Sequence, residues 1–264
     1  MRIAVAGGTG RIGALVVERL MARGDEVVLL TRGEGVDLVS GGGLDERMTG
    51  VDAVIDVTNP PVADIESAER TFTAITKNLL AAESRAGVRH HVALSIAALR
   101  RVEGNPHYHG KRAQERAVQA GSTPYTIVPA TQFHDFPAMI AEWAVIDGVA
   151  QVPPLLLQPI APSDVADVVV EVALGEPHGM HRDVAGPRTE DAVDMARRTR
   201  AARGVDAPLL ATWRGGALGA EFAGEVLLPA ADALIAPTTF EEWLVAEGIR
   251  SARGEKHAGV GFGG

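Results

Sequence analysis

The sequence predicts a doubly wound α/β protein, a parallel sheet with helices on both faces, and three observations carry that expectation. An apolar strand run, a glycine-rich turn and an amphipathic helix follow one another at the N-terminus. Strand and helix signals then alternate to about residue 130, the rhythm a parallel sheet with crossover helices requires. Finally, 264 residues with 46% hydrophobic content supply the core of one large α/β unit, or of such a unit with a smaller lobe.

The first strand ends in Ile3-Ala4-Val5-Ala6, and GGTGRIG follows at 7–13. Gly8, Gly10 and Gly13 make G-x-G-x-x-G, while Gly7, Gly10 and Gly13 make G-x-x-G-x-x-G. The helix expected over 11–23 aligns Ile12, Leu15, Val16, Leu20 and Met21 on one side. A second strand is expected at 26–31 and a third at 52–57, which ends at Thr58-Asn59-Pro60-Pro61. The glycine-rich stretch between them suggests at most a short strand near 36–39. A long helix over 64–85 closes at Gly87, and a strand at 91–95 follows. Next come a helix over 109–120, stopped by Gly121, and a strand at 125–129. Beyond these, helices are expected at 138–147, at 163–174 with Ser163-Asp164 as its cap, and at 192–202. A strand at 181–185 and a last helix opened by Thr238-Thr239-Phe240-Glu241-Glu242 complete the reading.

Composition removes several function classes. With no cysteine there is no disulfide, thiolate nucleophile or cysteine-held metal. A net charge of −9 leaves no electrostatic footprint for nucleic acid, and Arg197, Arg198, Arg200 and Arg203 read as a solvated helix face. No apolar run reaches the roughly 18 residues of a spanning helix, and the chain runs straight into its first strand, so the expectation is a cytoplasmic protein without a membrane partner. Pairs such as His178 and His181 lack a supporting motif like H-E-x-x-H, so no metal is expected. G-x-S-x-G is absent too, which removes the usual serine-hydrolase reading.

The glycine turn points to a dinucleotide. A pyrophosphate needs a tight strand-to-helix turn, backbone without Cβ at the contact, and a helix N-terminus aimed at it. Thr9, Arg11 and Ile12 lie within that turn. An acidic residue near the end of the second strand would grip the ribose 2′-hydroxyl of NAD. Thr31-Arg32-Gly33 stands there instead, so Arg32, with Arg11 from the other side, favours the 2′-phosphate of NADP over NAD. Glu34 is the neighbour able to neutralise Arg32. Thr58 and Asn59 follow the third strand and join the expected cofactor contacts. Gln132, Phe133 and His134 follow a strand end that faces the ligand crevice, and are expected near the nicotinamide or the substrate.

Taken together, the chain resembles the NmrA-like branch of the atypical short-chain dehydrogenase/reductase superfamily. The resemblance rests on GGTGRIG, Thr31-Arg32, residues 50–56 (GVDAVID), Leu94-Ser95-Ile96, Tyr108-His109-Gly110-Lys111 and Glu115, then on 124–133, 159–166 and Gly186-Pro187, all in order. It implies a dinucleotide-binding Rossmann domain, placed at 1–150. A small C-terminal α+β substrate lobe at 151–253, partly interleaved with the sheet, and a flexible tail at 254–264 would complete the chain. Members include quinone and isoflavone-type reductases, and redox-sensing regulators that bind the dinucleotide without turning it over. In active relatives a tyrosine and a lysine four positions later share a helix face, and a serine orients the carbonyl. Ser95 and Lys111 match the serine and the lysine, and both also count among the cofactor contacts. Counting four back from Lys111 reaches His107, while Tyr108 is three away, so both remain candidate proton donors. Phe133, Phe136, Met139 and Trp143 are expected to form an apolar substrate wall, with Trp213 in the same lobe. Two functions stay open: an NADP(H)-dependent reductase of a small apolar carbonyl, enone or quinone, and a non-catalytic NADP(H) sensor. A homodimer is an open option.

Overall fold

The computed structural model describes residues 1–214 and 218–252. Strands β1 (Arg2–Ala6), β2 (Glu26–Leu30), β3 (Ala53–Asp56), β4 (His90–Ile96) and β5 (Tyr125–Ala130) alternate with helices α1 (Arg11–Ala22), α2 (Leu44–Met48), α3 (Ile65–Ala86) and α4 (Pro106–Ala120). Then come α5 (Phe136–Trp143), β6 (Val145–Ile146), β7 (Val149–Val152), β8 (Leu156–Leu157) and α6 (Pro162–Leu174). The remainder is β9 (Gly179–Met180), β10 (Val184–Ala185), β11 (Glu190–Asp191), α7 (Ala192–Ala202), β12 (Leu209–Ala211), β13 (Leu234–Ile235) and α8 (Phe240–Ala252).

The main sheet runs β13-β10-β5-β4-β3-β1-β2, with β9 beside β5. Every pairing in it is parallel. β1 carries apolar residues without polar alternation because both of its faces are covered. Ile3 and Val5 pack with Ile12, Val16 and Leu20 of α1 and with Val165 and Val169 of α6. Ala4 and Ala6 pack on the other side with Leu44 and Met48 of α2 and Ile75 and Leu79 of α3. The chain leaves β1 toward β2 on one side and reaches β3 on the other, so the winding reverses between β1 and β3. Ligands of open α/β sheets lie at that reversal, outside the carboxyl ends of the strands. A further apolar cluster joins Leu99, Val102 and Tyr108 to Ile140, Leu157, Met195, Phe222, Phe240 and Trp243, with Trp213 packed against it.

Helix ends follow local chemistry. Asp64 caps α3 in a reciprocal box with Ser67, and Gly87 closes it in the left-handed conformation at φ 74°. α4 starts earlier than its apolar pattern suggests, because Asn105 accepts from the Tyr108 N–H and Pro106 occupies the first turn. Thr239 and Glu242 cap α8 as a box, as expected.

Four expectations need correction. No strand forms near 36–39: the Asp37 carboxylate accepts from Val39 N–H and the Ser40 hydroxyl, and glycines at positive φ fold the stretch into a turn before α2. Ser163 and Asp164 do not cap α6, whose N-cap is Ala161. Asp164 lies inside the first turn and accepts from both the backbone N–H and the hydroxyl of Thr238. Trp143 closes α5 at 46% exposure rather than lining a wall, and the chain turns there into β6 instead of continuing a helix to 147. Phe133 and Phe136 join different clusters, so the apolar wall is not continuous. The expected tail at 254–264 lies outside the described residues.

Candidate functional site at the sheet reversal

The glycine turn fills the reversal point. Gly7 holds φ +82°, and a Cβ there would lie 2.9 Å from the Val57 carbonyl oxygen. At Gly13 a Cβ would come within 2.0 Å of the Gly7 carbonyl oxygen, so only glycine lets α1 pass this close to the turn. Gly8 abuts the Leu29 side chain, and the Gly10 N–H closes the turn by donating to the Gly7 carbonyl at 2.9 Å. Gly10 is also the N-cap of α1; it offers no side-chain acceptor, and the first turn holds no acidic residue. The first-turn N–H groups and the positive helix end therefore face the crevice, which suits a pyrophosphate. Thr9 is exposed at the turn, whereas Ile12 faces the core.

Arg11 makes an ion pair with the buried Asp135 carboxylate and approaches the Met139 sulfur at 3.7 Å. This ties the glycine turn to the start of α5. Arg32 is exposed just past β2. Glu34 does not neutralise it: the Arg47 guanidinium takes the Glu34 carboxylate at 2.7 Å and the Glu34 carbonyl at 2.8 Å.

Beyond β3, Thr58 is buried and Asn59 exposed. The Thr58 N–H donates to Asp56 Oδ1 at 2.9 Å, and Gln114 Nε2 donates to Asp56 Oδ2 at 2.8 Å. Lys111 Nζ donates to the Leu94 carbonyl and Gln114 Oε1, each at 2.9 Å, and to the Thr58 carbonyl at 3.2 Å. Burial pushes the Lys111 ammonium down to about 8, against the pull of Asp56 and Glu115.

Ser95 Oγ donates to Glu115 Oε1 at 2.6 Å, which commits its one proton to a carboxylate. Tyr108 packs edge-on against Phe222 at 5.4 Å, and its hydroxyl accepts from Gln132 Nε2 at 3.2 Å. Burial raises the phenol well above its ordinary value, although the Gln132 bond works the other way. His107 is pushed down to about 4 by burial and by the Lys111 charge. Phe133 bridges to Ile160. His134 turns away toward α8: its Nε2 meets the Thr238 carbonyl at 3.1 Å, and its ring packs on Phe240 and Trp243.

The structure thus brings Lys111 to Thr58, Tyr108 to Gln132 and Arg11 to α5, while Ser95 faces Glu115. Asp56, Gln114, Asp135 and Phe222 are neighbours that sequence reasoning missed. Gln114 had a signal, since i+3 from Lys111 shares its helix face. Phe222 had none.

The comparisons agree with this geometry. Residues 7–176 match the family described as NAD(P)H-binding. The chain belongs to that family. No curated protein matches it. Among solved structures it is similar to MoeE5 in complex with UDP-glucose and NAD, at TM-score 0.74 and 16% identity, covering 97% of this chain and 100% of that one. A short-chain dehydrogenase/reductase superfamily protein from Agrobacterium tumefaciens with bound NAD gives TM-score 0.66 and 18% identity, covering 96% and 98%. The NADPH-dependent quinone oxidoreductase QOR2 from Escherichia coli, complexed with NADPH, gives 0.61 and 17%, covering 80% and 77%. At such identities the likeness establishes the fold alone, a doubly wound parallel sheet of Rossmann type. Among the described residues no helix is long and apolar enough to cross a membrane.

Proposed function

We propose that this NAD(P)H-binding protein is an NADP(H)-dependent reductase of a small apolar carbonyl, enone or quinone. The preference for NADP rests on Arg32: it is exposed past β2, its neighbour Glu34 is held by Arg47, and it occupies the place where a carboxylate would grip the ribose 2′-hydroxyl of NAD. When bound, the reduced dinucleotide supplies a hydride.

The observation that carries the reading is the Tyr108–Gln132 bond beside the end of β5. Because Gln132 donates to the phenol oxygen, the Tyr108 proton is not committed to Gln132 and is available to a substrate oxygen. Tyr108 stays protonated at neutral pH, since burial raises its pKa. His107, pushed down to about 4, is neutral there and is the weaker acid candidate. The Ser95 hydroxyl already donates to Glu115, so it faces a substrate as an acceptor while that carboxylate is ionised. The apolar cluster around Tyr108 and Phe222 favours a substrate without charge.

The test is Tyr108→Phe. It is expected to abolish NADPH oxidation on a panel of quinones, enones and carbonyls while NADPH binding, followed by nicotinamide fluorescence, stays as in the wild type. Unchanged turnover would remove Tyr108 from the mechanism. The burial of Tyr108 beneath Phe222 favours a second reading, a dinucleotide sensor. Tight NADPH binding with no turnover on the whole panel would select it.

A further inference from the structure

Lysine carries three protons on Nζ. In this protein three acceptors take them: the Leu94 carbonyl, Gln114 Oε1 and the Thr58 carbonyl, at 2.9, 2.9 and 3.2 Å. The side chain is 5% exposed, and the Phe72 ring centroid lies 5.3 Å from Nζ on another side. An ammonium held this way has no proton left for a sugar hydroxyl unless one of these bonds breaks. The bonds also close on themselves. Lys111 holds Gln114 Oε1, Gln114 Nε2 holds Asp56, Asp56 accepts from Thr58 N–H, and the Thr58 carbonyl returns to Lys111. Both backbone polar groups of Thr58 are thereby fixed by one ring of side chains.

Thr58 matters because of what rests on it. The peptide joining Val57 to Thr58 is the wall against which Gly7 turns. A Cβ on Gly7 would meet Val57 O at 2.9 Å and Thr58 N at 3.1 Å. The Val57 N–H, in the peptide just before it, bonds the Ala6 carbonyl at 3.0 Å and ties this segment to the end of β1.

We propose that Lys111 is a positioning residue whose ring through Gln114 and Asp56 fixes Thr58 as the seat of the glycine turn, rather than a ligand of the nicotinamide ribose. The inference rests on the reading that the glycine turn takes NADP(H). A ribose ligand serves only molecules that possess that ribose. A seat for the glycine turn serves every ligand that touches the turn or the adenosine side of the crevice, including one that ends at the adenosine phosphates.

The experiment compares NADPH with 2′,5′-ADP, which has the 2′-phosphate but no nicotinamide ribose. NADPH is followed by fluorescence and 2′,5′-ADP by competition, in the wild type, Lys111→Met and Gln114→Met. Lys111→Met is expected to weaken both ligands by a similar factor, about tenfold, the loss of one hydrogen bond to a charged group. Gln114→Met leaves the Lys111 ammonium in place and is expected to weaken both as well. Loss confined to NADPH in Lys111→Met would overturn the proposal and return Lys111 to the ribose. Should Lys111→Met fail to fold, Gln114→Met decides alone: wild-type affinity for both ligands overturns the seat. Failure of the wild type to bind either ligand would instead remove the cofactor reading beneath it.

Discussion

A single methyl group separates a glycine turn that closes from one that cannot. The Cβ of an alanine at 13 would meet backbone, not a movable side chain, so position 13 is legible from sequence alone as a site where only glycine packs. Arg32 is singled out by its place after β2, where the structure leaves it exposed. The structure adds that Arg47 holds the Glu34 carboxylate. Arg32→Ala is expected to weaken NADPH about tenfold, the value of one charge-assisted bond at an exposed position, with NADH unchanged. Parallel fluorescence titrations check it, and equal losses for both dinucleotides would remove Arg32 from the 2′-phosphate. The choice between Tyr108 and His107 was not legible, because spacing places both near Lys111. Burial separates them, keeping the phenol protonated and the imidazole neutral.

At the scale of elements, α3 and β4 are joined by a buried pair that no sequence pattern announces. His91 Nδ1 meets Glu83 Oε1 at 2.7 Å, with both side chains inaccessible. Burial lowers the imidazole pKa, but the Glu83 charge and hydrogen bond, with the field of Asp56, outweigh it and raise the value above the ordinary 6.5. A group raised on folding stabilises the fold fully below its unfolded value and loses that contribution as pH climbs through the folded one. The melting temperature of the wild type is therefore expected to carry a component that falls as pH rises above 6.5. Glu83→Gln should lose that component and cost about 3–5 kcal/mol below pH 6.5, where an imidazolium would be left buried without its partner. Thermal melts from pH 5.5 to 8.5 decide it, and parallel curves for the two proteins would dismiss the pair as a charged one. Helix ends were read with more success where a cap was local. Asp64 with Gly87 and Thr239 with Glu242 lie within their own helices' termini. Ser163-Asp164 looked equally like a cap, yet Asp164 is engaged by a residue 74 positions away.

That long-range bond belongs to the scale of the whole molecule. Thr238 gives its N–H and hydroxyl to Asp164 of α6, while its carbonyl meets His134 beyond β5. The start of α8 is thus fastened both to a helix covering the sheet and to the segment that follows Gln132. Asp164→Ala should leave two Thr238 donors without their acceptor and lower stability by about 1–3 kcal/mol. A denaturant midpoint equal to that of the wild type would show the fastening to be idle. The division into domains at 1–150 and 151–253 remains a proposal. β10 and β13 extend the main sheet from the later part of the chain, while the cluster around Tyr108 recruits residues from Leu99 to Trp243.

By itself the sequence determined the parallel α/β class, the strand-turn-helix start and the glycine positions, because each depends on residues close together in the chain: an apolar run, a missing Cβ, a cap. Only the tertiary structure decided which charges are paired and where protons lie. Lys111 is closed in by Thr58, Leu94 and Gln114, Ser95 by Glu115, Arg11 by Asp135 and Glu34 by Arg47. Most of these pairings join residues far apart in sequence. They form because a buried or partly buried polar group must find a partner in space, and the winding of the sheet determines which partner is within reach.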